Sequence, residues 1–138
     1  MRRLLLIVSI LALVLVPIGC AGNVVQSTIE QALADLRADY TIQVGGTEGL
    51  NFTGRYVVVT ASYDPDNYVL FNTHSYDVSG NVSVQYTVED VISVGGMFQK
   101  QAVNGTLEVE IWRSGDLIDS DETTDPWGAV LVTAVKED

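Results

Sequence analysis

The chain is poor in the residues that most enzyme chemistry draws on. Its 138 residues hold one cysteine, Cys20, and one histidine, His74. A lone cysteine cannot make an intrachain disulfide, so the fold is not a disulfide-stapled scaffold. One imidazole and one thiol are too few soft ligands for a zinc centre. A hydrolytic triad would have to use His74 as its base, and no serine sits in a G-x-S-x-G setting. A strand histidine facing solvent accounts equally well for Phe71-Asn72-Thr73-His74-Ser75-Tyr76. Basic residues are also scarce: seven Lys and Arg stand against eighteen Asp and Glu, a formal net charge of −11. A field of that sign repels phosphate, which argues against nucleic acid as a partner and disfavours anionic lipid surfaces. Nothing in the composition calls for a cofactor.

What is present begins with an address. Arg2 and Arg3 form a positive region, Leu4 to Val16 an apolar one, and Pro17-Ile18-Gly19-Cys20 puts a small residue directly before the cysteine. This is the layout of an export signal over residues 1–19, of the bacterial lipoprotein kind, with Cys20 lipidated as the first mature residue. Pro17 stands where Leu, Val or Ile is usual. Two other readings stay open: cleavage nearby without lipidation, or an uncleaved anchor. Leu4 to Ile18 is only slightly short of the roughly 17–25 apolar residues of a span. Loss of residues 1–19 leaves five basic residues against eighteen acidic ones, a net charge of about −13 that suits solubility in an extracellular or salt-rich setting.

Residues 20–39 read as a tether followed by a short amphipathic helix. Ser27-Thr28-Ile29-Glu30 has capping-box spacing, and Ile29, Leu33, Leu36 and Tyr40 recur at helical intervals, which predicts a helix over about 27–39. From residue 40 to 138 the text is strand-like. Leu107, Val109 and Ile111 alternate with Glu108, Glu110 and Trp112, the period of a strand with one buried face. Arg113-Ser114-Gly115-Asp116 and Asp125-Pro126-Trp127-Gly128 turn the chain around Leu117, Ile118 and the run Ala129 to Val135. Further strands are expected over Tyr40–Val44, Leu50–Ala61, Tyr68–Val78, Val82–Val88 and Val91–Gln101. Gly54 marks a bulge or a close backbone approach. Seven to eight strands in about 95 residues point to a sandwich or a small barrel, and the size and the many half-buried strands favour an antiparallel β-sandwich.

Phe52-Thr53-Gly54-Arg55-Tyr56, the Val78-Ser79-Gly80 turn leading to Tyr86-Thr87-Val88, Phe98-Gln99-Lys100-Gln101, Gly105 to Ile111 and Pro126-Trp127-Gly128-Ala129-Val130 resemble small prokaryotic lipoproteins of unassigned function. More distantly they resemble the extracytoplasmic β-sandwich domain of MmpS-type membrane proteins. The resemblance covers most of residues 40–135 and rests on turn and strand patterns. It implies an immunoglobulin-like or MmpS-like sandwich outside the cytoplasmic membrane. In MmpS proteins this domain accompanies a lipid exporter of the resistance-nodulation-division type, so a transporter partner is implied by analogy of fold alone. MmpS proteins carry an N-terminal membrane helix where this chain offers Cys20.

Few residues remain as candidate sites. Trp112, with Glu108 and Glu110 beside it, faces away from the apolar set and forms a possible partner surface, unless a neighbouring element covers it. Trp127 is expected to plug one end of the sandwich. Asp116, Asp119, Asp121, Glu122 and Asp125 form the densest carboxylate cluster. Asp119, Asp121 and Asp125 are a weak calcium candidate, because their spacing is not that of an EF-hand loop. A charged hairpin edge that blocks strand pairing explains the cluster better. Asp64 and Asp66 flank Pro65 in a turn. The sequons at Asn51, Asn81 and Asn104 lie at or near predicted turns. The sequence thus predicts a non-catalytic, lipid-anchored envelope module that contacts the membrane through Cys20. Its partner would be an envelope or transporter protein. The alternative is a solute-binding or transport-accessory lipoprotein with a small apolar pocket between the sheets.

Overall fold

A computed structural model describes residues 22–66 and 68–136. Cys20 and the N-terminal apolar run lie outside the described residues. Among the described residues no helix is long and apolar enough to cross a membrane. Helix α1 (Gly22–Leu36) precedes eight strands: β1 (Ala38–Gly46), β2 (Asn51–Asp64), β3 (Tyr68–Asn81), β4 (Val84–Val91), β5 (Ser93–Lys100), β6 (Leu107–Arg113), β7 (Asp116–Thr123) and β8 (Ala129–Val135). They form two four-stranded antiparallel sheets, ordered β4-β1-β6-β7 and β3-β2-β5-β8. The chain is mostly β, and the sheets stack as a β-sandwich.

Alternation explains the stacking. Tyr40, Ile42 and Val44 of β1 and Leu107, Val109 and Ile111 of β6 point inward from the first sheet. Phe52 and Val58 of β2, Val94 and Phe98 of β5, and Val130, Val132 and Ala134 of β8 meet them from the second. Each large side chain buried in this way contributes about 1.5–3 kcal/mol, so this core carries most of the stability.

Phe98 sets the spacing at the centre of the second sheet. A Cβ on Gly54 would lie 2.5 Å from the Phe98 ring and 2.9 Å from the Met97 carbonyl oxygen, and one on Gly96 would lie 2.6 Å from the same ring. The β2 register with β3 and β5 runs through Gly54 without a shift, so the glycine serves a close approach and not a bulge.

The helix differs from expectation. It starts at Gly22, inside the expected tether, and stops at Leu36, because Ala38 onward is taken up by pairing with β4 and β6. Ser27 is not a cap: its hydroxyl donates to the Val24 carbonyl at 3.0 Å within the helix. Tyr40 belongs to the sandwich core. The helix C-terminal end is tied down at three points. Leu33 is buried. Arg37 Nη2 donates to the Ala61 carbonyl at 2.6 Å while Nη1 pairs with Asp90 at 3.1 Å. Lys136 Nζ donates to the Asp35 carbonyl. Val24 and Val25 near the N-terminus are exposed.

Strands β2 and β3 pair along their whole length, from Asn51 opposite Asn81 to Asp64 opposite Tyr68. Strand β5 accompanies β2 only over Phe52–Val59. The hairpin tip therefore extends past the β5 ladder and leaves Leu70 and Phe71 exposed. We predict that Gly54→Ala lowers stability by about 1–3 kcal/mol, the usual range for overpacking a filled core. Urea denaturation would measure this, and Phe98→Leu in the same chain should restore part of the loss.

Candidate functional site

The two open sides of the sandwich are built differently. On one, the edge strands β7 and β8 lie against each other. In register, Asp119 and Asp121 sit opposite Ile111 and Val109 and so share the inward face of the first sheet. Asp119 Oδ2 accepts the Thr133 N–H at 2.7 Å, and Asp121 Oδ2 accepts the Leu131 N–H at 2.9 Å. Their Oδ1 atoms accept the N–H groups of Ser120 and Glu122 at 3.0 and 2.9 Å. Each carboxylate thus bridges one amide of β7 and one of β8. Charge-assisted bonds of this kind do the work of a missing strand, since they satisfy edge amides that a barrel would satisfy by closure.

Asp119, Asp121 and Asp125, the weak calcium candidate, are placed differently from one another. The first two carboxylates are occupied by backbone amides. Asp125 lies in the following loop, where its own N–H bonds the Thr123 hydroxyl at 3.2 Å. Among the described residues no three His, Cys, Asp or Glu side chains are grouped to hold a metal ion.

The opposite side, between β3 and β4, is open. A cleft of about 450 Å³ runs there, with Tyr56, Val58 and Thr60 of β2 as its floor and His74 and Tyr76 of β3 along one rim. Val88 and Glu89 of β4 form the other rim. Tyr56 stacks on Tyr76 with ring centres 4.9 Å apart and meets Tyr86 at 5.6 Å, tilted by 37°. The rings form a continuous aromatic wall. Burial raises the Tyr56 and Tyr86 hydroxyls above the ordinary tyrosine value, reinforced at Tyr56 by Tyr76 and at Tyr86 by Tyr56. His74 lies on the rim with its side chain exposed, across the cleft from Glu89. On the outer face of the same strands, Arg55 donates to Asp77 at 2.6 and 3.2 Å. That bond holds the Asp77 carboxyl below its usual range and raises the Arg55 guanidinium. The pair is exposed and adds little to stability.

One end of the sandwich is closed by a residue that the sequence did not single out. Lys100 is fully buried, and its Nζ donates to the carbonyls of Gly105 at 2.6 Å and Thr124 at 2.8 Å. The alternation Val94, Gly96, Phe98, Lys100 carries it to the inner face, which was the signal available. Trp127, expected to plug an end, is instead 53% exposed. It occupies a left-handed turn position (φ 58°), where its N–H bonds the Ala102 carbonyl and its side chain is turned outward. Trp112, Glu110 and Glu108 lie on the outer face of the first sheet. There Trp112 Nε1 donates to Glu110 Oε2 at 2.9 Å and the ring is half-buried.

Comparison of the chain with protein-family models and with curated proteins gave no match.

Two predictions follow from this geometry. Asparagine at both positions, Asp119→Asn with Asp121→Asn, leaves each site one acceptor short and sets an amide donor against an N–H. The loss should be about 1–3 kcal/mol for the pair, read by chemical denaturation; an unchanged midpoint would contradict the bridging role. The second concerns alkaline pH. A tyrosine whose folded pKa lies above its unfolded value contributes stability that is present below pH 10.0, the unperturbed value, and lost as pH rises through the folded value. Tyrosinate absorbance should therefore show a component ionising above the exposed tyrosines, reduced by Tyr56→Phe and by Tyr86→Phe.

Proposed function

We propose that the chain is a non-catalytic module of the cell envelope, tethered through lipid on Cys20 with the sandwich on the extracytoplasmic side, and that it acts by binding another envelope protein. The observation that carries this reading is the one-sidedness of the fold. Asp119 and Asp121 close the β7/β8 side, while the β3/β4 side presents an aromatic-lined cleft. Aromatic walls beside open strand edges are favourable protein-contact surfaces, because they offer area and backbone bonding together. The signal-like N-terminus and the lipoprotein and MmpS-like resemblance support the placing.

A second reading is favoured by the cleft itself: a solute-binding or transport-accessory lipoprotein whose ligand lies against Tyr56 and Val58. One experiment separates the two and tests the anchor. The full chain, carrying a photo-reactive residue in place of Thr87, which lines the cleft from β4, would be irradiated in its own membranes and weighed by mass spectrometry beside its Cys20→Ser counterpart. The expected result is a diacylglyceryl mass on Cys20, absent from the serine variant together with membrane retention, and an adduct to a different protein. A small-molecule adduct would put the solute-binding reading first. An unmodified full-length chain still held in the membrane would make residues 4–18 the anchor and overturn the lipid tether.

A further inference from the structure

We propose that two copies of the chain pair through β3, antiparallel and edge to edge, so that their second sheets join across a two-fold axis. The hydrogen-bond parity of β2 shows which groups are free for this. The carbonyls of Asn51 and Val59 accept the N–H groups of Gln101 and Ile92 on the β5 side, at 2.9 and 2.8 Å, whereas the Leu50 carbonyl accepts the Val82 N–H at 3.0 Å on the β3 side. Even-numbered residues of β2 therefore bond β3. With Tyr56 opposite Tyr76 and Val58 opposite His74, the even residues of β3 spend their backbone groups on β2. Phe71, Thr73, Ser75 and Asp77 consequently direct their N–H and C=O groups out of the sheet.

Four strands form sheet edges: two are protected, a third is short and acidic at one end, and the fourth is neither. Edge amides of β7 and β8 are bonded to Asp119 and Asp121. Strand β4 is eight residues long and carries Glu89 and Asp90 near its end. Strand β3 is fourteen residues long and is exposed from Leu70 to Asp77. It has no Lys, Arg, Asp, Glu or Pro from Tyr68 to Tyr76. Its one acidic residue, Asp77, is neutralised by Arg55. A long, uncharged edge with Phe71 65% exposed is what a monomeric sheet protein avoids.

The charge distribution selects the occupant. The chain carries a formal charge of −11, so two copies repel each other over most of their surfaces. Antiparallel β3 against β3 opposes the uncharged run with itself and avoids that repulsion. A two-fold contact also uses the edge completely in both copies, so assembly stops at two. His74 and Tyr76 lie on the cleft face of the strand, so the two clefts meet at the axis. The inference does not depend on how the chain is anchored.

The test is sedimentation of the full chain in density-matched detergent, which reads protein mass alone. The native chain should have the mass of two copies at low micromolar concentration. Ser75→Lys, which places like charges near the axis, should halve that mass. Thr73→Pro, which removes an outward N–H without touching the β2 ladder, should do the same. Glu122→Lys, exposed on the outer face of the other sheet, should leave the mass unchanged. A native chain with the mass of one copy would overturn the proposal, as would a dimer that persists in the lysine variant. Should the proline variant misfold, the lysine variant decides alone, because Ser75 is exposed. A monomer here leaves the envelope-module reading intact, since that reading requires an adduct to a different protein.

Discussion

Two aspartate carboxylates, on Asp119 and Asp121, hold the edges of two sheets together, and the character of the molecule depends on them. Each bridges an amide on β7 and an amide on β8. In size the effect is modest beside the core, because the burial of Ile111 alone is worth about 1.5–3 kcal/mol, comparable to both bridges together. Their importance is directional. Burial draws the sheets face to face without preferring one side. The carboxylates decide which side closes and remove two of the four sheet edges from further pairing.

With that side fixed, the remaining polar elements fall into place. Lys100 joins the loops around Gly105 and Thr124 at one end. Arg37 ties the end of α1 to Ala61 and Asp90, and Lys136 reaches back from beyond β8 to the Asp35 carbonyl of that helix. A chain with one histidine and one cysteine thus spends several of its charged side chains on backbone groups. The open side carries tyrosines instead. Partial burial raises the hydroxyls of Tyr56 and Tyr86 above the ordinary tyrosine value. Contact and stacking are what that side offers.

Much of the fold was legible from alternation. The inward runs Leu107, Val109, Ile111 and Tyr40, Ile42, Val44 need no knowledge of partners, and the turn residues between them delimit the strands. Gly54 could be recognised as a close approach or a bulge, but choosing required Phe98, which lies 44 positions along the chain. The site was harder to read. Alternation puts Asp119 and Asp121 on one face of their strand, yet only the register Val109 to Asp121 shows that this face is the inner one. Composition alone points the other way, because charged residues usually face water. Lys100 was hidden for the same reason. Ser27 and Glu30 misled because capping-box spacing also occurs inside a helix, where the serine bonds back to Val24. Tyr56, Tyr76 and Tyr86 come from three strands, and nothing in their spacing brings them together.

The most direct test of the central claim is amide hydrogen exchange at single-residue resolution. On strand β8 the N–H groups of Leu131 and Thr133 face away from β5, so only Asp121 and Asp119 can protect them. They should exchange slowly, at rates close to those of Val130 and Val132, whose amides lie in the β5 ladder. Exchange of Leu131 and Thr133 at the rate of open-edge amides, with Val130 and Val132 still protected, would show that the carboxylates do not hold the two sheets together.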